Sequence, residues 1–258
     1  MKNINKWLAG SLGSLVLLGA QSQAESDNLT GSLGLDYNSH FMSYGANVWG
    51  SDTKDIGDDI LFNPSLGLNY ALSDTTGVYG GIWGDINDLS DSPIADNIQE
   101  VDIWLGYYFG AGDFSFDLTF QQWYYANEVE GIFDINIGYD TKFAPTLTIH
   151  NRYEGVGTQE ESTMFVLGGT FYESAYKGFD YSIGANIGGS IDDYHQAGEE
   201  GYAFSSVSLG FSSPLTIGEG LGDWDFHGAL TLYHTSTETV DNPENTYLTL
   251  NLGVGMAF

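Results

Sequence analysis

The sequence predicts an all-β fold, a transmembrane antiparallel β-barrel of about twelve strands. Three observations carry that expectation. Apolar residues recur at every second position in run after run. The connections between runs alternate between short and long. The apolar parity is bulky, while the other is small or polar. The last run is the clearest: Leu248, Leu250, Leu252, Val254, Met256 and Phe258 alternate with Thr249, Asn251, Gly253 and Gly255. A period of two with one apolar side describes a strand with one face in oily surroundings.

Taken in order, Leu29, Leu33, Leu35 and Tyr37 alternate with Thr30, Ser32 and Asp36. Leu66-Leu68-Tyr70 and the run Gly77–Asp85 follow, separated by the turn Ser73-Asp74-Thr75. Val101, Ile103, Leu105, Tyr107 and Phe109 stand opposite Glu100, Asp102, Trp104 and Gly106. After Gly110-Ala111-Gly112, Phe114, Phe116, Leu118 and Phe120 face away from Asp117, Thr119 and Gln121. Phe133, Ile135, Ile137 and Tyr139 then oppose Asp134, Asn136 and Asp140, and Leu147-Ile149 opposes Thr148, His150 and Arg152. Met164–Phe171 comes next, then Phe179–Ile187 with Asp180 on its polar side, then Ala203–Phe211, Trp224–His234 and the terminal run. Ambiguity in Asn38–Asp59 and Tyr202–Phe211 leaves ten and fourteen strands as the neighbouring counts.

The short connections carry Gly, Asp, Ser or Pro, as tight hairpins require. The long ones are polar and acidic: Asn38–Ile60, Ile86–Asn97, Ala126–Glu130, Glu154–Ser162, Ser190–Glu200 and Thr235–Asn245. Short periplasmic turns on one rim, long extracellular loops on the other and an even strand count describe bacterial outer-membrane barrels. A soluble barrel would point the bulky apolar parity inward, but twelve strands enclose more space than Leu and Phe can fill. Aromatics gather at strand ends, as in Tyr107-Tyr108-Phe109 and Trp123-Tyr124-Tyr125, which suits two interfacial girdles.

The chain ends agree. Lys2 and Lys6 precede the apolar stretch Trp7–Ala20 and then Ser22-Gln23-Ala24, the order of a secretory signal cleaved after Ala24. This expectation makes residues 1–24 a leader and 25–258 the barrel, with Phe258 resembling the terminal assembly signal of outer-membrane barrels. The apolar stretch is shorter than the ~20 residues a membrane-crossing helix needs. Cysteine is absent, which excludes a lipidated-cysteine anchor, disulfides and thiolate metal sites. Without the leader, Lys54, Lys142, Arg152 and Lys177 face all 35 acidic residues, a balance of about −31. That charge argues against nucleic acid as a partner. Adaptation to saline surroundings would produce the same acidity.

The stretch Pro64–Tyr70, then Gly77-Val78-Tyr79-Gly80-Gly81-Ile82-Trp83-Gly84-Asp85, then Glu100-Val101-Asp102-Ile103-Trp104-Leu105-Gly106-Tyr107 resembles the TorF-like porin family. The likeness spans about residues 29–125 and implies a Gram-negative outer-membrane barrel. Its partners would be membrane lipid and lipopolysaccharide, the barrel-assembly machinery through the last strand, and small cationic or neutral solutes. The family's Arg-Gly after the first strand is here Tyr44-Gly45.

Three constellations bear on chemistry. Glu100, Asp102, Asp117, Asp134, Asp140 and Asp180 lie on the polar parity with Arg152 as the basic counterpart, a set that would make a water-filled lumen cation-preferring. A plugged interior in which the same carboxylates pair with Tyr, Asn and Thr is the alternative, making a non-conducting structural or adhesion barrel. In the loops, Asp55, Asp58 and Asp59 are weak Ca²⁺ candidates, since they lack the spacing and closing Glu of an EF-hand; otherwise no metal or cofactor is expected. His234 and Ser236, two apart, would share the lipid-side face near the long-loop rim, as a nucleophile pair of an outer-membrane lipid esterase would. Thr237 follows where such enzymes usually have Asn, so the expectation is a non-enzymatic barrel.

Overall fold

The computed structural model describes residues 28–50, 56, 61–89, 94–157, 159–218 and 222–258. Twelve of its strands close into one antiparallel barrel. They are β1 (Leu29–Asn38), β4 (Leu61–Ser73), β5 (Thr76–Ile86), β6 (Ile98–Ala111), β7 (Phe114–Tyr124), β8 (Val129–Tyr139), β9 (Thr146–Glu154), β10 (Ser162–Tyr176), β11 (Phe179–Ser190), β12 (Gly201–Leu215), β13 (Asp223–Thr235) and β14 (Thr246–Ala257). Each pairs with its sequence neighbour in the barrel, and β14 pairs back onto β1 from Asn251 opposite Asn38 to Ala257 opposite Ser32. Phe258 extends that seam by one residue, its carbonyl accepting from the Gly31 N–H at 2.8 Å. Closure leaves no free edge. No helix occurs among the described residues.

The bulky parity faces outward. Leu33, Leu68, Ile82, Ile103, Leu105, Phe120, Leu167, Ile187, Val207 and Leu232 are all exposed, Leu105 by 66%. Apolar surface on this scale is unfavourable in water and is the surface of a barrel set in lipid. Inside, the walls are polar: Asp36, Asn63, Asp85, Glu100, Asp117, Asp134, His150 and His227 are buried.

The connection between β1 and β4 differs from a plain loop. It contains a separate hairpin, β2 (His40–Ser43) and β3 (Ala46–Gly50), turned by Tyr44 and Gly45 with φ of 49° and 97°. Positive φ at both central residues is the two-residue turn whose twist matches a hairpin. A side chain on Gly45 would also press on Phe204, 2.9 Å from where its Cβ would stand.

Two sequence expectations fail because a strand ends early. β8 stops at Tyr139, so Asp140 is an exposed turn residue whose N–H bonds the Asp113 carbonyl, and it does not line the lumen. β13 stops at Thr235, so the period of two no longer places Ser236 on the face of His234. The expected leader, Met1–Ala24, and Asp55, Asp58 and Asp59 lie outside the described residues.

Candidate functional site

The lumen carries the polar chemistry, and it divides into zones. Near the long-loop rim on β8–β10, His150 stands directly opposite Asp134, and its Nδ1 lies 2.6 Å from Asp134 Oδ1. The other oxygen of Asp134 accepts from Gln121 Nε2 at 2.6 Å. The remaining ring nitrogen of His150 is 2.8 Å from the Tyr194 hydroxyl, which comes from the loop between β11 and β12. Arg152, two residues along β9, donates from Nε to Glu130, and from Nη1 to Ser162 Oγ and the Tyr194 carbonyl, while its guanidinium lies 4.0 Å over the Tyr194 ring. The single lumen arginine is therefore neutralised by a carboxylate and enclosed.

Three loops descend onto this knot. Tyr44 at the hairpin tip stacks its ring 3.8 Å from that of His150. His195 Nε2 is 3.0 Å from the Tyr44 carbonyl. Asn242, from the β13–β14 loop, donates to the Gly45 carbonyl at 2.7 Å and accepts from the Asn47 N–H at 2.9 Å. Beneath them Tyr44, Tyr194 and Val240 pack with Met164, Val166, Ala203 and Phe204 into a small apolar core inside the barrel. Burial pushes the Tyr44 and Tyr194 phenols up and His195 down to about 4, so all three stay uncharged at neutral pH.

A second zone crosses the closing seam. His227 on β13 reaches Asp36 on β1 with Nε2 and Asp225 with Nδ1, both at 2.9 Å. A protonated imidazole, with two N–H donors, satisfies both carboxylates. The bridge passes over Gly253 of β14, where a Cβ would collide with Asp36 and His227. From Asp36 the network runs through Asn251, Asn38 and Asn63 to Asp85 Oδ1. On β5–β8, Tyr79, Thr119 and Asn136 gather on Asp117 Oδ1 at 2.8, 2.8 and 3.3 Å.

The third zone is the upper wall of β5–β6. Glu100 and Asp102 sit two apart on β6 with Asp85 opposite Glu100. Asp85 Oδ2, Glu100 Oε2, Asp102 Oδ1 and Asp117 Oδ2 are buried without hydrogen-bond partners.

Of the residues singled out from sequence, the fold gathers Glu100, Asp102, Asp117, Asp134 and Arg152 on the interior walls. Asp180 takes the inward parity of β11 but is exposed, second from the strand start near the short-turn rim. His234 and Ser236 are not brought together. His234 is exposed beside the ring of Tyr202, 6.4 Å between centroids, while Ser236 Oγ accepts from the backbone N–H groups of Glu238 and Thr239 at 3.2 Å. Asp36, Asp85, Glu130 and His227 belong to the lumen and were not singled out. Glu130 stands second in β8, at the end of what reads as the loop Ala126–Glu130, and Asp85 ends its run on the parity of Trp83, inside the barrel.

No protein-family model matches the chain, and no curated protein sequence does. Solved structures do share its fold. It resembles the NanC porin with a TM-score of 0.52 at 9% identity, over 87% of this chain and 98% of that one. It resembles an outer-membrane channel from Pseudomonas putida F1 with a TM-score of 0.52 at 13% identity, over 89% of this chain and 95% of that one. The architecture is that of Gram-negative outer-membrane barrels; at these identities the likeness speaks of fold alone.

Proposed function

We propose that the protein is an outer-membrane channel for small solutes with a preference for cations. The observation that carries this reading is the imbalance of the lumen. Eight carboxylates line the described walls (Asp36, Asp85, Glu100, Asp102, Asp117, Glu130, Asp134 and Asp225), and the one arginine among them is held against Glu130. In a narrow water-filled passage with low-dielectric walls, such an excess raises local cation concentration and repels anions. The porin fold of the structural neighbours supports the channel part of the reading.

Purified protein in planar bilayers under a KCl gradient tests it. The zero-current potential should take the sign of cation selectivity; anion selectivity would refute the preference, and absence of conductance the channel itself. A non-conducting barrel is the second reading, favoured by the hairpin and loops that descend into the long-loop mouth around Tyr44, Tyr194 and Val240.

A further inference from the structure

The hairpin β2–β3 leaves β1 and reaches β9, which lies six strands from β1 in either direction around the closed barrel. It therefore spans the long-loop mouth from one wall to the opposite one. On the way Phe41 lies on Trp83 of β5, 5.2 Å between ring centroids, and His40 on Tyr247 of β14, 5.7 Å. At the tip Tyr44 stacks on His150, and Gly45 backs onto Phe204 of β12. The two strands pair with each other and not with the barrel. Side chains and two loops hold the tip in place, through Asn242 on the Gly45 carbonyl and His195 on the Tyr44 carbonyl. Lifting it breaks no part of the barrel ladder, so it can open at a fraction of the cost of unfolding.

We propose, resting on the channel reading above, that this hairpin is a strap that narrows the pore mouth and that acid releases through His195. A carbonyl can only accept, so Nε2 of His195 carries the proton in its bond to Tyr44. Among the described residues, Tyr44 of the hairpin, Asp193 and Tyr194 of its own loop, and His150 and Arg152 of β9 surround the imidazole. His150 and Arg152 are in turn paired with Asp134 and Glu130 of β8. Burial, with Arg152 and His150 adding to it, holds His195 at about 4 against 6.5 when free. The Tyr44 carbonyl and Asp193 pull the other way and do not make up the difference. Docking is therefore at full strength above pH 6.5 and is lost progressively as pH falls toward 4. Asn242 does not titrate, so its bonds to the hairpin are indifferent to pH. Protonating the lumen carboxylates would act in the opposite sense, removing charge that attracts cations and lowering conductance. A rise in conductance on acidification reports the strap.

Single-channel recording in planar bilayers, in symmetric KCl at pH 7 and at pH 4.5, tests it. Wild type should hold a smaller level at pH 7 and spend about tenfold more time, or more, in a larger level at pH 4.5. Replacing residues 41–49 by Gly-Gly joins His40 to Gly50, which already stand opposite each other in the hairpin. That shortened chain should hold the larger level at both pH values. His195→Gln should lose the response to acid, whichever level it adopts, and serves if the shortened chain does not fold, as judged by heat-modifiable migration. Equal behaviour of wild type at the two pH values, or a response to acid that survives either change, overturns the strap and leaves the channel. So does a shortened chain that keeps the smaller level. If none of the three proteins conducts, the channel reading falls, and amide exchange of residues 40–48 decides the strap. Exchange that quickens at pH 4.5, relative to the intrinsic rate, keeps it; unchanged protection removes it.

Discussion

The wall of β8–β10 and the wall of β5–β6 face the same lumen but treat their charges in opposite ways. On the first, Asp134 is met by His150 and Gln121, and Arg152 by Glu130, Ser162 and Tyr194, with three loops packed above. On the second, Glu100 and Asp102 have acidic and aromatic neighbours and no cation among the described residues. Folding constraints explain the first arrangement: a buried charge in a docked interface has to be paired and hydrogen-bonded. They do not explain the second, which leaves acceptors open at a cost in stability. Polar groups kept in that condition are where function is sought first. The paired wall holds the mouth in shape, and the unpaired wall sets the potential a solute meets.

The largest effect should come from removing one partner on the paired wall. Arg152→Ala strands Glu130 and the Tyr194 carbonyl, and should cost about 3–5 kcal/mol of stability in urea unfolding from micelles. Glu100→Gln with Asp102→Asn, near-isosteric changes on the other wall, should cost nothing or stabilise. Equal losses in the two proteins would dissolve the contrast between the walls.

At the seam, Gly253→Val pushes a side chain into the Asp36–His227 bridge. A loss of about 1–3 kcal/mol is expected, the usual scale for overpacking. The temperature at which the compact gel band converts to the unfolded one reports it.

Acidification should act on the loops before the barrel. His195 is depressed to about 4 in the docked state against 6.5 free, so docking is at full strength above pH 6.5 and weakens as pH falls from there toward 4. Amide exchange of residues 194–198 should quicken over that window, and His195→Gln should abolish the pH dependence. The smallest effects belong to the outer rim. Ser236→Ala should cost about 0.5–1.5 kcal/mol through the lost backbone caps, and His234→Ala about 0.5 kcal/mol or less.

How far the sequence reveals this molecule depends on which physical signal each part leaves. Lipid outside and polar residues inside impose a strict period of two, so the twelve strands can be read directly, and with them half of the eight wall carboxylates: Glu100, Asp102, Asp117 and Asp134. Strand ends leave no such mark: Asp140 and Ser236 continue the alternation on paper after the ladder has stopped. Long-range docking leaves less still. Nothing local to Tyr44 foretells that its ring lies on His150, more than a hundred positions away in the chain, although Tyr44-Gly45 does carry the turn that aims it there. The closing bridge from Asp36 to His227 is equally invisible, since it depends on the first and next-to-last strands meeting over a glycine.

The most direct test of the unequal walls is the zero-current potential across planar bilayers in a KCl gradient, wild type against Glu100→Gln/Asp102→Asn. Wild type should select cations, and the double variant should lose most of that selectivity while still conducting. Selectivity unchanged by the two substitutions would contradict the assignment of the lumen's potential to the β5–β6 wall.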